Sequence, residues 1–167
     1  MRYSIVYSSQ TGNTKQLADR LRAALPAADC VCFGAPEERA LAAPLVFVGF
    51  WTDKGGCDER TAAFLPRLAG KRAALFGTAG FGGETSYFDG ILRRVQALLP
   101  PDCEVPSGFM CQGKMPPSVR ARYAAMLEKS PGDARIQSML DNFDRALSHP
   151  DQADFDRLCA WAKRMIK

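Results

Sequence analysis

Short apolar segments alternate with amphipathic helical stretches along most of the chain. Residues 2–8 alternate in polarity and are β-rich, whereas apolar residues recur at helical spacing from 17 to 25 and stop at Pro26. Residues 45–50 form a continuous apolar run, which is typical of a strand buried on both faces. The pattern also predicts strands at 30–33, 72–77 and 104–111 and helices at 58–68 and 88–99. This alternation predicts an α/β fold, in which helices cover both faces of a parallel sheet.

The last third of the chain has a different pattern. The strand at 104–111 contains Pro106 and Gly108, so we expect it at an edge of the sheet. Beyond it the apolar residues follow helical spacing only, which indicates a helical insertion at about 116–148 before a last helix that starts near Pro150. With 167 residues, 47% of them hydrophobic, we expect one domain over 1–167 with a single well-buried core.

The composition argues against several classes of function. Lysine and arginine exceed aspartate and glutamate by a net charge of only +4, spread along the chain, which gives little support to nucleic-acid binding. The apolar run at 45–51 is far shorter than the roughly 20 residues that span a bilayer. The first seven residues lack the features of a secretory signal. We therefore expect a cytoplasmic protein that binds neither nucleic acid nor membranes.

The six cysteines and the single histidine form no metal or redox-disulfide motif. There is no Cys-x-x-Cys pair, and His149 stands alone beside Pro150, which argues against a zinc site, a thioredoxin-type pair and a Ser-His-Asp triad. We expect reduced thiols and no metal. Cys57 lies near Lys54 and is open to two interpretations, a redox thiol with a lowered pKa or a thiol that lines a pocket or the core.

The most informative segment joins the first strand to the first helix. It reads Ser8-Ser9-Gln10-Thr11-Gly12-Asn13-Thr14 and contains hydroxyl, amide and glycine residues but no acid. A helix N-terminus presents unpaired N–H groups, so hydroxyl side chains gathered there can surround a phosphate. Gly12 lets the backbone fold closely around it. An ordinary helix cap is the alternative, but three hydroxyls, from Ser9, Thr11 and Thr14, favour phosphate.

Two further loops follow the third and fourth strands, where such a sheet places its ligands. They read Trp51-Thr52-Asp53-Lys54-Gly55-Gly56-Cys57 and Thr78-Ala79-Gly80-Phe81-Gly82-Gly83. Aromatic side chains stack on a flat apolar ring, and backbone amides satisfy its polar edge. Gly55 and Gly56 permit peptide orientations that other residues avoid. Trp51 and Phe81 are candidates to flank a flat ligand, although each alone also fits a core or exposed-loop position.

The segment Ser9-x-Thr11-Gly12-x-Thr14 after Ile5-Val6-Tyr7 resembles the phosphate loop of flavodoxins, which bind FMN. The resemblance implies a flavodoxin-like, doubly wound five-stranded parallel sheet of order 2-1-3-4-5 with a C-terminal helical extension, and electron transfer through noncovalently held FMN. It implies that Ser9, Thr11, Gly12, Asn13 and Thr14 hold the phosphate and that Trp51 and Phe81 flank the ring. Contacts at the ring edge would come from Thr52, Gly55, Thr78 and Gly80, and the cofactor site would also include Ser8, Gln10, Asp53, Lys54, Ala79 and Gly82.

Three longer segments, 48–55, 75–82 and 109–115, resemble the flavodoxin-family type associated with bilirubin reductase. This likeness implies a redox partner protein, a bilirubin reductase, whose tetrapyrrole reduction the chain would support. The charge of +4 departs from the acidic surface of many flavodoxins. Two alternatives stay open: an NAD(P)H-dependent FMN or quinone reductase of the same fold, and a non-catalytic interaction module that uses residues 116–148. Gly113 and Lys114 either line the mouth of the pocket or lie in a solvated loop.

Overall fold

The computed structural model describes residues 1–167 and contains six strands and six α-helices. The strands are β1 (Tyr3–Tyr7), β2 (Cys30–Gly34), β3 (Leu45–Asp53), β4 (Gly56–Cys57), β5 (Arg72–Ala79) and β6 (Gly108–Gln112). The helices are α1 (Asn13–Ala24), α2 (Glu59–Phe64), α3 (Thr85–Gln96), α4 (Pro117–Lys129), α5 (Ala134–Ala146) and α6 (Gln152–Met165).

Five parallel strands form the sheet in the order β2-β1-β3-β5-β6. Because β4 lies off this path, the order is the predicted 2-1-3-4-5 arrangement, which is confirmed. The last parallel strand, β6, lies at an edge as predicted, but it begins at Gly108 instead of 104, so Pro106 lies outside it. The reversal of winding between β1 and β3 brings the carboxyl ends of β1, β3 and β5 side by side, so the loops that follow them meet at one edge of the sheet.

The two faces of the sheet are buried by different helices. One cluster of 17 buried residues includes Ile5, Phe47 and Phe76 together with residues of α1 and α6. The other, of 16 residues, includes Val48 and Phe50 together with residues of α2 and α3. This burial on both sides explains why β3 is apolar at successive positions rather than alternating.

In the two central strands, β3 and β5, each of two phenylalanines faces a glycine of the neighbouring strand. Gly49 of β3 pairs with Phe76 of β5, and Phe50 pairs with Gly77. A Cβ atom at Gly49 would lie 2.4 Å from the Phe76 ring, and one at Gly77 would lie 2.6 Å from the Phe50 ring. Each ring therefore occupies the space above the neighbouring strand's glycine, which fixes the packing of β3 on β5.

The segment after Trp51, which we predicted as a loop, is a β-hairpin. Thr52 pairs with Cys57 and Asp53 with Gly56 in an antiparallel ladder, so β3 continues to Asp53. The two turn residues Lys54 and Gly55 have φ angles of 50° and 79°, as a tight two-residue hairpin requires. Of the two glycines singled out in this segment, Gly55 has a positive φ in the turn, whereas Gly56 lies in β4 and the other turn residue with positive φ is Lys54.

The helical insertion consists of α4 and α5, which pack against each other. Arg120 of α4 donates a 2.9 Å hydrogen bond to Asp144 of α5. Helix α6 follows and is capped at its N-terminus by Asp151, whose carboxylate accepts from the Asp154 N–H in a reciprocal capping box. None of these helices is both long and apolar enough to cross a bilayer.

Candidate functional site

The loop between β1 and α1 presents a row of backbone N–H groups that have no acceptor in the protein. The one side chain that accepts hydrogen bonds from backbone N–H groups of this loop is Ser9, whose Oγ accepts from Gly12 and Lys15, both at 3.2 Å. Gly12 has a φ of 93°, and a Cβ atom there would meet nothing within 4 Å, so the loop opens to solvent at this point. The N–H groups without a protein acceptor belong to Ser9, Gln10, Thr11, Asn13 and Thr14.

Asn13 joins this loop to the other side of the site. Its side-chain Nδ2 donates a 2.9 Å hydrogen bond to the carbonyl oxygen of Lys114, which lies just after β6. Its Oδ1 is buried and has no hydrogen-bond partner. A buried amide oxygen without a donor is uncommon in proteins, so Asn13 offers an acceptor to a ligand with hydroxyl groups.

Thr14 has a different role from the other loop residues, since its hydroxyl points into the protein. It is 1% exposed, and its Oγ1 donates to the Phe50 carbonyl oxygen at 3.1 Å. The same atom lies 3.1 Å from Oγ1 of Thr78, at the end of β5. These two hydroxyls therefore join α1 to the ends of β3 and β5, and what Thr14 presents toward the loop is its backbone N–H.

Two adjoining cavities run along the ends of β1, β3 and β5. The smaller measures about 120 Å³ and lies at the loop after β1, where Thr11, Asn13 and Trp51 line it together with Lys114 and Pro116. The larger measures about 360 Å³ and is lined by Phe81 and Tyr87 and by residues of α4. Residues common to both walls are Thr52, Ala79, Gly80 and Met115. The two cavities thus form one groove, which we call the strand-end groove.

The hairpin wall of the groove is anchored from helix α3. Arg94 donates a 2.9 Å hydrogen bond to the carbonyl oxygen of Gly55, the second turn residue. Thr52, at the base of the hairpin, has a buried Oγ1 without a partner and lines both cavities. Trp51 is half-buried and lies at the smaller cavity. The hairpin therefore presents one aromatic ring and one free hydroxyl to the groove.

The opposite wall is the loop after β5. Phe81 and Tyr87 are 38% and 39% exposed, which is high for large aromatic side chains. Met115 packs on Gly80 so closely that a Cβ atom there would lie 2.5 Å from the methionine sulfur. The loop thus combines exposed aromatic surface with a backbone held in place by its neighbours.

All charged side chains that line the groove are cationic. They are Lys54, Lys114 and Arg122, and none of them forms an ion pair with a carboxylate of the chain. Since no acidic residue shares the lining, the groove favours an anionic ligand or an acidic partner surface.

The thiol and carboxylate groups near the site do not form a reactive centre. Burial raises the pKa of Cys57 to about 11, and the neighbouring Asp58 carboxylate adds to the rise. Cys57 is therefore a protonated thiol at neutral pH, which favours the pocket-lining interpretation over the redox thiol.

His149, Asp151 and Asp154 cluster within 4.8 Å, but their polar atoms are occupied by the α6 cap and by Arg157.

Comparison with known proteins agrees with this architecture. Residues 4–163 match the family model described as a flavodoxin domain. This chain belongs to the flavodoxin family. A relative from Clostridium symbiosum, the flavodoxin-like domain-containing protein BilS, is 41% identical over 92% of this chain and 90% of its own length. A protein of the same name from Clostridioides difficile is 34% identical over 99% of this chain and 97% of its own length.

A solved flavodoxin-like structure adds the fold-level comparison. The FMN complex of a flavoprotein from Lactobacillus acidophilus aligns with 65% of this chain and 92% of its own, with a TM-score of 0.52 and 12% identity. The predicted family, its BilS type and the flavodoxin-like fold are confirmed, and FMN is the cofactor that this family membership supports.

The strand-end groove brings together most of the residues that the flavodoxin resemblance singled out. Eleven of them line it: Gln10, Thr11, Asn13, Trp51, Thr52, Lys54, Gly55, Thr78, Ala79, Gly80 and Phe81. Six others are not among the lining residues: Ser8, Ser9, Gly12, Thr14, Asp53 and Gly82. Gly113 and Lys114 also line the groove.

Several lining residues were missed by the sequence analysis of the flavin site. Met115, Pro116, Val119, Arg122 and Tyr123 reach the groove because α4 starts immediately beside it. Met115 ends the segment 109–115 noted above, and Val119 and Tyr123 lie in a helical stripe, but such a stripe indicates a buried face and not what that face covers.

Proposed function

We propose that this chain binds FMN in the strand-end groove and carries electrons to a partner reductase that reduces a bilirubin-type tetrapyrrole. The observation that supports the cofactor site most strongly is the loop at 9–14, which carries five N–H groups without protein acceptors and lines one end of the groove through Gln10, Thr11 and Asn13. The tetrapyrrole assignment rests on the sequence resemblance described above and on the relatives named BilS.

The loop fits a phosphate because its donors are neutral backbone groups at a helix N-terminus. Such groups bind a dianion without needing a lysine or arginine, since the helix dipole adds partial positive charge. Thr11 is exposed and can donate its hydroxyl to the same phosphate. Ser9, by contrast, uses its oxygen to hold the loop in shape.

The rest of the groove fits the remainder of an FMN molecule. The buried, unpartnered Asn13 Oδ1 and Thr52 Oγ1 are suited to the hydroxyl groups of a ribityl chain. Trp51 and Phe81 supply aromatic surface for the ring. FMN, when bound, supplies the one- and two-electron redox chemistry, and the residues of the chain bind it, orient it and exclude water.

The groove lacks a group suited to acid–base catalysis. Its lining contains no histidine and no carboxylate, and the one nearby thiol is protonated at neutral pH. This composition favours an electron carrier over a stand-alone oxidoreductase. The cationic lining favours a partner that docks through an acidic surface.

Comparison of FMN with riboflavin tests the phosphate assignment. Riboflavin lacks the phosphate but keeps the ring and the ribityl chain. Thr11→Glu places a carboxylate beside the proposed phosphate, so FMN affinity, measured by flavin fluorescence quenching, is expected to fall at least about tenfold, or 1.4 kcal/mol. Riboflavin affinity is expected to stay within about twofold, and Thr11→Ser serves as the conservative control. An equal loss for both ligands, or for neither, would contradict the assignment.

The electron-carrier proposal is tested by stopped-flow oxidation of the reduced protein by a bilirubin reductase. The rate is expected to fall with rising salt and in the charge reversals Lys54→Glu and Arg122→Glu, because steering between opposite charges is screened. Lys163→Glu, a charge reversal on α6, is the matched control. Steady reduction of the bound flavin by NADPH alone would instead support the reductase alternative.

A further inference from the structure

A polar pair outside the groove holds one peptide of its wall. Asn142, on α5, is 6% exposed and donates from Nδ2 to the carbonyl oxygen of Gly80 at 3.0 Å. Gln112, the last residue of β6, is 9% exposed and reaches the same carbonyl from Nε2 at 3.3 Å. The two side chains also bond each other, from Gln112 Nε2 to Asn142 Oδ1 at 3.1 Å. We call this three-way arrangement the Gly80 clamp.

The clamp determines which way the Gly80–Phe81 peptide faces. Gly80 lines both cavities of the groove, whereas neither Asn142 nor Gln112 lines them, so the carbonyl is held pointing away from the groove. This peptide bond is trans, and in a trans peptide the N–H points opposite to the carbonyl. The Phe81 N–H has no acceptor in the protein. The clamp therefore leaves an N–H donor directed to the side of the loop that faces the groove.

The placement of Asn142 is unusual for its helix. The other buried residues of α5 are apolar: Ile136, Leu140, Phe143 and Ala146. A buried amide side chain among apolar neighbours is costly unless it is hydrogen-bonded, and the hydrogen bonds of Asn142 go only to Gly80 and Gln112. A leucine at this position would satisfy the packing alone. The hydrogen bond from Asn142 to the Gly80 carbonyl in the groove wall therefore explains the polar side chain.

We propose that Asn142 and Gln112 are positioning residues through which the helical insertion presents the Phe81 N–H to the polar edge of the flavin ring. This inference rests on the proposed FMN site. An N–H donor at the ring edge favours the reduced, electron-rich flavin over the oxidised one. Loss of the clamp releases this peptide, so the Phe81 N–H is no longer held toward the groove and its preference for the reduced form is lost.

Two replacements of Asn142 separate hydrogen bonding from shape. Asn142→Leu removes donor and acceptor, and Asn142→Asp keeps the shape and the acceptor but removes the donor to Gly80. Both are expected to weaken binding of reduced FMN by roughly tenfold and of oxidised FMN by less, which lowers the midpoint potential. Asp141→Asn, on the exposed face of the same helix, is the control and should change neither. Potentials are measured by spectroelectrochemical titration and affinities by fluorescence.

Gln112→Met is the second variant, and it tests the clamp from the β6 side if Asn142 variants fold poorly. It leaves the Asn142–Gly80 bond in place, so a smaller shift of the potential in the same direction is expected. Unchanged potentials in Asn142→Leu and Gln112→Met, while Thr11→Glu still discriminates FMN from riboflavin, would overturn the clamp and leave the FMN site standing. If Thr11→Glu does not discriminate, the site itself is misplaced and the clamp proposal falls with it.

Discussion

The side-chain amide of Asn13 donates a 2.9 Å hydrogen bond to the carbonyl oxygen of Lys114, across 101 residues of sequence. This bond joins the loop after β1 to the segment after β6. Gly113 lies against the same amide, and a Cβ atom there would be 2.4 Å from Asn13 Nδ2. The shape of the proposed phosphate loop therefore depends on a glycine that is 100 residues away in the sequence and follows the edge strand β6.

Gly113→Ala is expected to weaken FMN binding without unfolding the protein. The added methyl group displaces the Asn13 side chain and breaks its bond to Lys114, a loss of about 1 kcal/mol or roughly fivefold in affinity. Fluorescence titration measures the change. Gly90→Ala on α3, where the nearest atom to a new Cβ is 4.0 Å away, is the control. Equal affinities in the two variants would show that the Asn13 bond does not support the cofactor site.

Gly49→Ala is expected to destabilise the fold by about 1–3 kcal/mol, because the new Cβ overpacks the core. The clash is with the Phe76 ring at 2.4 Å and with Cβ of Tyr7 at 2.9 Å, and both atoms are enclosed by the central strands. Urea unfolding followed by circular dichroism gives the free energy of unfolding. The same Gly90→Ala control should be neutral or slightly stabilising. A Gly49→Ala protein as stable as the parent would contradict the described packing of β3 on β5.

Arg94→Met is expected to loosen the hairpin wall of the groove. Its guanidinium holds the Gly55 carbonyl, and methionine keeps much of the apolar stem while removing the donor. Amide hydrogen exchange in residues 54–57 should become faster, and FMN affinity should fall by roughly fivefold. Arg93→Met replaces the exposed neighbour, which makes no such bond. Amide exchange in residues 54–57 that is as fast in Arg93→Met as in Arg94→Met, or faster, would contradict the role of the Arg94–Gly55 bond.

The free energy of unfolding is expected to decline at alkaline pH. Burial raises the pKa values of Cys32 and Cys57 from 9.0 to about 11 and that of Tyr3 to about 12. The unfolded chain releases the thiol protons near pH 9.0, whereas the folded chain keeps them until about pH 11. Because the folded state binds more protons in this window, the stability that these groups contribute is fully present below the window and is lost as pH rises through it.

Urea midpoints measured across this pH window check the alkaline decline. Cys32→Ala and Cys57→Ser should each flatten the slope, since each removes one group whose pKa differs between the folded and unfolded states. A midpoint that stays level to pH 11 in the parent would mean that these thiols are not shielded in the folded protein.

Local patterns predicted the strands and the loops that form the groove, whereas the sheet order and the roles of the site residues were implied by the flavodoxin resemblance. The apolar run of β3 and the hydroxyl-rich loop before α1 each carry their signal within a few residues. The positive φ of Lys54 could not be predicted from residue propensities. The turn is held by the pairing of β3 with β4 on either side of it and by the bond from Arg94, on α3, to the Gly55 carbonyl. The role of Asn142 could not be predicted from local sequence either, because its hydrogen-bond partner Gly80 lies 62 residues away.

A crystal structure of the protein loaded with FMN is the decisive measurement. We expect the phosphate within hydrogen-bond distance of the N–H groups of residues 9–14, with the ring between Trp51 and Phe81 and near the Phe81 N–H. The molecule holds another cavity, of about 290 Å³, whose mostly apolar lining also contains Arg22, Arg39 and Glu37. FMN found there, or in any position that leaves the loop at 9–14 without its phosphate, would contradict the cofactor site proposed for this flavodoxin-family chain.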